Sequence, residues 1–178
     1  MPQKGMRMWV MMALMTALLC VIAPLALPLG VVPVSMSTLV LFLMLYLLPW
    51  RQATMATGAY LLLGLLGLPV FSGYMGGVGR LLGPTGGYLL GYLPMVAVAG
   101  SLMARSEKRW VHGLCMAAGE VVLYLLGSVW FCIQSGVSFY AAVATCVAPF
   151  LLGDAIKIVL AVMLGTLLQR RLRQAHVL

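Results

Sequence analysis

The sequence predicts an all-α integral membrane protein: a six-transmembrane-helix bundle with a glycine-rich extracellular loop, built by residues 1–178 as a single transmembrane domain. Three observations lead there. Of the 178 residues, 63% are apolar and only 8% are charged, a composition foreign to soluble domains. The apolar residues are gathered into runs separated by proline and glycine, and about 20 residues per crossing gives this length about five to seven passes. Nine of the eleven basic residues fall on one side of the alternation those runs define.

The first run spans Met8 to Ala23, the second Thr38 to Leu48 and the third Ala53 to Leu68. A fourth runs from Thr85 to Met103, a fifth from Val111 to Ile133, and the last from Phe150 to Leu168. Each is bounded by breakers or charge, which is how an apolar helix shows its ends in sequence. Three longer irregular stretches, Pro24 to Ser37, Pro69 to Pro84 and Gln134 to Pro149, lie on one side. Short turns lie on the other.

Lys4, Arg7, Arg51, Arg105, Lys108, Arg109, Arg170, Arg171 and Arg173 all fall on the short-turn side. Basic residues are retained on the cytoplasmic face, so both termini are expected there. Trp9, Trp50 and Trp110 mark the same boundary, where amphipathic rings sit among headgroups. The net charge of +8 is then topology and attraction to the anionic lipid bilayer. Nucleic acid is not an expected partner, because the charge is divided among four short segments. The first run also fits a signal peptide, but its removal leaves five spans and puts the amino terminus opposite the remaining basic loops.

Cys20, Cys115, Cys132 and Cys146 are dispersed, with no CxxC and no neighbouring histidine, so they read as packing residues rather than a zinc site or a disulfide framework. No P-loop, dinucleotide fingerprint or HExxH is present, so no cofactor or metal is expected and ATP-derived energy must come from other chains. His112 and His176 read as solvated interface residues.

Gly64 to Gly91 is dense in glycine and broken by Pro69 and Pro84. Irregular backbone has no hydrogen-bond partners in lipid, so this stretch is expected to fold outside the membrane or line a cavity. Glycine there serves either close approach to a ligand or tight turns and helix packing. Asp154 and Lys157 are three residues apart, which puts them on one helical face near Arg80's level. Charge within the membrane is costly enough to mark a functional candidate; the alternative is a self-satisfied ion pair that holds the bundle. Glu120 lies toward the middle of the fifth span without a basic partner in sequence, and packing or hydration is its first reading. Ala13 and Ala17 form a small-xxx-small pair for internal packing or for docking a partner helix.

The segments YLLLGLLGLPVFSG, GRLLGPTGGYLLGY, VPVSMST, YLLGSVW and PFLLGDAIK together resemble BioY, the biotin-binding substrate-capture (S) subunits of energy-coupling factor (ECF) transporters. The resemblance covers nearly the whole chain. It implies six helices, residence in the plasma membrane of a prokaryote, and no enzymatic activity. It implies biotin as ligand, and a transmembrane coupling subunit with two ATPase subunits as partners, against which the loaded subunit topples. Asp154 and Lys157 correspond to the family's biotin-contacting pair, Arg80 to its basic outer-loop residue, and Thr85, Gly86, Gly87 and Tyr88 to its GPTGGY turn. Ala13 and Ala17 resemble the alanine motif that docks on the coupling subunit. VPVSMST departs from the more usual glutamine-containing version.

Biotin offers a carboxylate tail, an apolar chain and a ureido ring with two N–H donors and one carbonyl. Lys157 and Arg80 would neutralise the carboxylate, Asp154 would accept a ureido N–H or orient Lys157, and Tyr74, Tyr88 and Trp130 would cover the ring. An S subunit for thiamine or riboflavin shares the fold but lacks the GPTGGY and GD..K combination. A membrane-embedded enzyme needs a nucleophile and base or clustered metal ligands, and the spans offer neither.

Overall fold

The structure, a computed structural model, describes residues 2–27 and 34–174. Val32 and Pro33 of the VPVSMST segment, and His176, lie outside the described residues. The elements are α1 (Pro2–Ile22), β1 (Ala26–Leu27), β2 (Val34–Ser35), α2 (Ser37–Leu47), α3 (Trp50–Leu65), α4 (Val78–Leu82), α5 (Gly86–Met103), α6 (Arg109–Ser135), α7 (Phe139–Cys146) and α8 (Leu151–Gln174).

Among the described residues, four helices are long and apolar enough to cross a membrane, over Gly5–Ile22, Gly86–Met103, Arg109–Ser135 and Leu151–Leu172. Helix α2 is apolar but has 11 residues, and α3 has 16, so at about 1.5 Å per residue both are shorter than a bilayer core is thick. The stretches expected to be irregular contain more order than their composition suggests. A two-residue antiparallel ladder pairs Ala26 with Ser35 and Leu27 with Val34, and α4 and α7 are short helices inside the second and third stretches.

Local chemistry explains the ends. Pro49, in extended backbone, separates α2 from α3, since proline disfavours helix in the residue before it. Gly136 closes α6 in the left-handed region, φ 67°, with its N–H on the Cys132 carbonyl, a conformation that costs glycine nothing. The Ser138 hydroxyl accepts from the Ala141 N–H to cap α7.

Close packing rests on missing side chains. Along α5 and α6, a Cβ at Gly87 would lie 2.2 Å from the Trp130 Cβ, and one at Gly127 would lie 2.3 Å from the Tyr88 ring. Across α8 and α2, a Cβ at Gly165 would lie 2.1 Å from the Tyr46 ring. Helices in lipid associate largely by such close van der Waals contact.

Two ends are distinct. At one, a cleft of about 650 Å³ is lined by Trp50, Gly100, Glu107, His112 and Gln169, bringing together the short turns and the end of α8. His112, read from sequence as solvated, is half-buried there, with Nε2 2.7 Å from the Ser106 carbonyl and Nδ1 3.3 Å from the Tyr46 hydroxyl. The opposite end carries the glycine-rich segment. Its backbone is tied down by Tyr60 donating to the Val70 carbonyl, Gly77 N–H to Gly64 and Gly73 N–H to Pro24, and Phe71 is buried against Gly64.

Candidate functional site

The charged cluster is assembled by three segments. Helix α8 begins just after Pro149 and Phe150, and Asp154 lies in its first turn, where a carboxylate meets the positive end of the helix dipole. Lys157 follows one turn later, and its Nζ is 2.8 Å from Asp154 Oδ1. Both residues are buried, 5% and 6% exposed. An ion pair taken out of water survives only if the remaining lone pairs and protons are also engaged. Here Lys157 Nζ donates at 2.7 Å to the Ser35 carbonyl, and the Tyr124 hydroxyl of α6 donates to Asp154 Oδ2.

Ser35 occupies this position because the ladder ends on it and α2 starts at Ser37; its hydroxyl is 2.8 Å from that of Ser37. Tyr92 of α5 lies beside both serines and Asp154. Glu120 is one turn from Tyr124 on α6, buried, with Asp154 and Lys157 as its charged neighbours. Among the described residues, three buried side-chain atoms have no hydrogen-bond partner: Thr38 Oγ1, Arg80 Nε and Glu120 Oε1.

Of the residues read from sequence, Asp154 and Lys157 meet directly. Thr85, Gly86, Gly87 and Tyr88 form the start of α5 and are all buried. A Cβ at Gly86 would lie 1.7 Å from the Leu81 carbonyl oxygen, so the turn into α5 is closed to any larger residue. Tyr88 packs on Gly127, with its hydroxyl 3.2 Å from Ser128 Oγ. Trp130 packs on Gly87 and donates from Nε1 to the Gly83 carbonyl at 3.0 Å. Gln134, one turn on, donates to Leu82. The C-terminal end of α6 therefore holds the segment that follows Arg80.

Arg80 lies on α4, half-buried, and no hydrogen bond or ion pair among the described residues joins it to Asp154 or Lys157. Tyr74 stands apart: it is 65% exposed, with φ 58°. Sequence reasoning did not find Tyr124, Ser35, Ser37 or Tyr92 as members of the cluster. The available signal was the four-residue spacing of Glu120 and Tyr124, which puts them on one helical face.

Ala13 and Ala17 are exposed on α1. They border a groove of about 380 Å³ with Trp9, Met12, Thr16, Ala56, Ala59 and Leu63, in which Thr16 is tied to the Ala56 carbonyl. Both alanines face outward rather than into the bundle core.

Apolar spanning helices that close around a hydrogen-bonded ion pair define a polytopic membrane protein with a polar interior site. The chain belongs to the BioY family, whose model matches residues 1–174. It is 34% identical over 167 residues to the biotin transporter BioY2 of Lactococcus lactis subsp. cremoris, covering 93% of this chain and 92% of that protein. It is 34% identical over 170 residues to the biotin transporter BioY of Thermotoga maritima, covering 93% and 97%. The fold is similar to the crystal structure of the S-component for biotin from an ECF-type ABC transporter, with TM-score 0.86, 27% identity, and 98% of this chain and 94% of that one covered.

Proposed function

We propose that this chain captures biotin at the outer face of a prokaryotic plasma membrane, as the substrate-specific subunit of an ECF transporter. The observation that carries the reading is the buried Asp154–Lys157 pair, held by Tyr124 and the Ser35 carbonyl inside a bundle of the BioY family. In this reading residues 1–178 form one domain of six crossings, with α2 and α3 completing the four longer spans. Both termini are cytoplasmic, and the glycine-rich segment is extracellular.

An ammonium has three N–H donors, and two of Lys157's are engaged by Asp154 and Ser35. The third is available for the ligand carboxylate, with Arg80 as second cation. Asp154 orients Lys157 and retains lone pairs for a ureido N–H. Tyr88, Trp130 and Tyr74 bound the ring, and the Thr85, Gly86 and Gly87 backbone lets it approach closely. The chain hydrolyses nothing; a transmembrane coupling subunit that docks on the Ala13 and Ala17 groove, and two ATPase subunits, supply release.

Equilibrium binding of labelled biotin to the purified protein tests this reading, with thiamine and riboflavin as competitors. Biotin alone should displace the label. Displacement by either other vitamin, or no binding, refutes it.

A further inference from the structure

Glu120 is a buried acid that the pair described above does not use. Its Oε1 has no hydrogen-bond partner, and its charged neighbours are Asp154 and Lys157. Each Asp154 oxygen already accepts one bond, Oδ1 from Lys157 and Oδ2 from Tyr124, and Asp154 is assigned only one of the ligand's two ureido N–H groups. A buried acceptor without a donor costs free energy that an apolar residue of similar shape would not, so a retained one points to a donor that arrives with something else. The ligand of the reading above brings two ureido N–H groups.

We propose that Glu120 is a specificity-determining residue of this site, its Oε1 accepting one ureido N–H of biotin. The assignment rests on the biotin reading. Glu120 lies one turn from Tyr124 along α6, on the same helical face as the hydroxyl that grips Asp154, so the acceptor and the ion pair are on the same side of α6. It selects for a ligand that donates at that point and rejects an isostere that cannot.

The test compares biotin with its two singly N-methylated ureido analogues on the unaltered protein, E120Q and E120L, with thermal unfolding of each ligand-free protein. E120L should weaken biotin binding about 10- to 100-fold, while E120Q, which keeps a carbonyl oxygen, stays within about threefold. One of the two analogues should bind the unaltered protein about as weakly as biotin binds E120L, and lose little more on E120L. Ligand-free E120L should unfold at or above the temperature of the unaltered protein, because it replaces an unsatisfied group with an apolar one. Equal losses for biotin and both analogues, or a lowered unfolding temperature, would make Glu120 a packing residue and overturn the proposal. Should E120L fail to fold, E120S carries the same comparison, since its short hydroxyl withdraws the acceptor. Absence of biotin binding to the unaltered protein would instead overturn the site reading as a whole.

Discussion

Replacing Lys157 by methionine keeps length and apolarity and removes the charge at the centre of the cluster. A bound carboxylate then loses its counter-ion, at a cost of about 2–5 kcal/mol for a buried pair, or roughly 30- to several-thousand-fold in Kd. The same change strands two other groups. Asp154 keeps only the Tyr124 hydroxyl, and the Ser35 carbonyl loses the donor at 2.7 Å. Breaking a buried pair from one side costs about 3–5 kcal/mol of stability, so an affinity loss alone does not identify a ligand contact. The double variant Asp154→Asn with Lys157→Met separates the two effects. It removes the uncompensated charge, so stability should return toward the unaltered level while biotin affinity stays low. Calorimetric titration with biotin and with its amide completes the assay. The amide should bind the unaltered protein poorly and lose little more when Lys157 is replaced. If Lys157→Met weakens biotin and the amide equally, and the double variant restores both, Lys157 is scaffold. The carboxylate partner is then Arg80 or a backbone amide of the glycine-rich segment.

Ala13→Leu or Ala17→Leu adds volume to the exposed groove on α1, and should leave biotin affinity within about twofold while reducing co-purification with the coupling subunit; a lowered unfolding temperature with impaired biotin binding would assign the pair to internal packing. Trp130→Phe keeps most of the ring contact with Gly87 but removes the donor to Gly83, and should speed biotin release about 2- to 10-fold, read by chasing bound label; unchanged release would remove Trp130 from the site. A cysteine introduced beside Arg80, in a background without Cys20, Cys115, Cys132 and Cys146, should react with an impermeant reagent on intact cells, and one beside Arg105 should not. The reverse pattern inverts the topology.

The helices were legible because lipid leaves few alternatives for an apolar chain, and because basic residues gather where helices leave the membrane. Their lengths were less so. Helix α1 starts at Pro2 and runs through Lys4 and Arg7, and α8 continues past Leu168 to Gln174. Hydropathy registers only the apolar part of a helix and not the turns that continue into the headgroups. Helices α4 and α7, of 5 and 8 residues, are too short to display a 3.6-residue period, and the ladder at Ser35 is held by backbone contacts that no residue type announces. That Asp154 and Lys157 meet could be read directly, because charge within an apolar helix needs a partner and the three-residue spacing supplies one. Tyr124 could not, since tyrosine in an apolar helix is ordinary until a neighbour supplies the carboxylate. The Ser35 carbonyl had no side-chain signal at all.

The distribution of satisfied and unsatisfied polar atoms gives the site its physical logic. Lys157 and Asp154 neutralise each other and Tyr124 donates to the carboxylate, so the bundle can hold the pair without a bare charge. Elsewhere among the described residues, one hydroxyl, one guanidinium N–H and one carboxyl oxygen are buried and unpartnered, at Thr38, Arg80 and Glu120, and of these Glu120 has the pair as its charged neighbours. Native interiors keep few such atoms, and these three differ in kind: a hydroxyl that can donate or accept, a cationic donor and an acceptor. A molecule with a carboxylate, a carbonyl and N–H groups offers a partner to all three kinds, whereas an apolar group offers none. The glycine contacts at Gly87 and Gly127 draw α5 tightly against α6, so Glu120, on α6, is held by helix packing rather than by a loop. Specificity on this account lies less in the ion pair, whose third Lys157 donor any carboxylate can use, than in the polar atoms the fold leaves open.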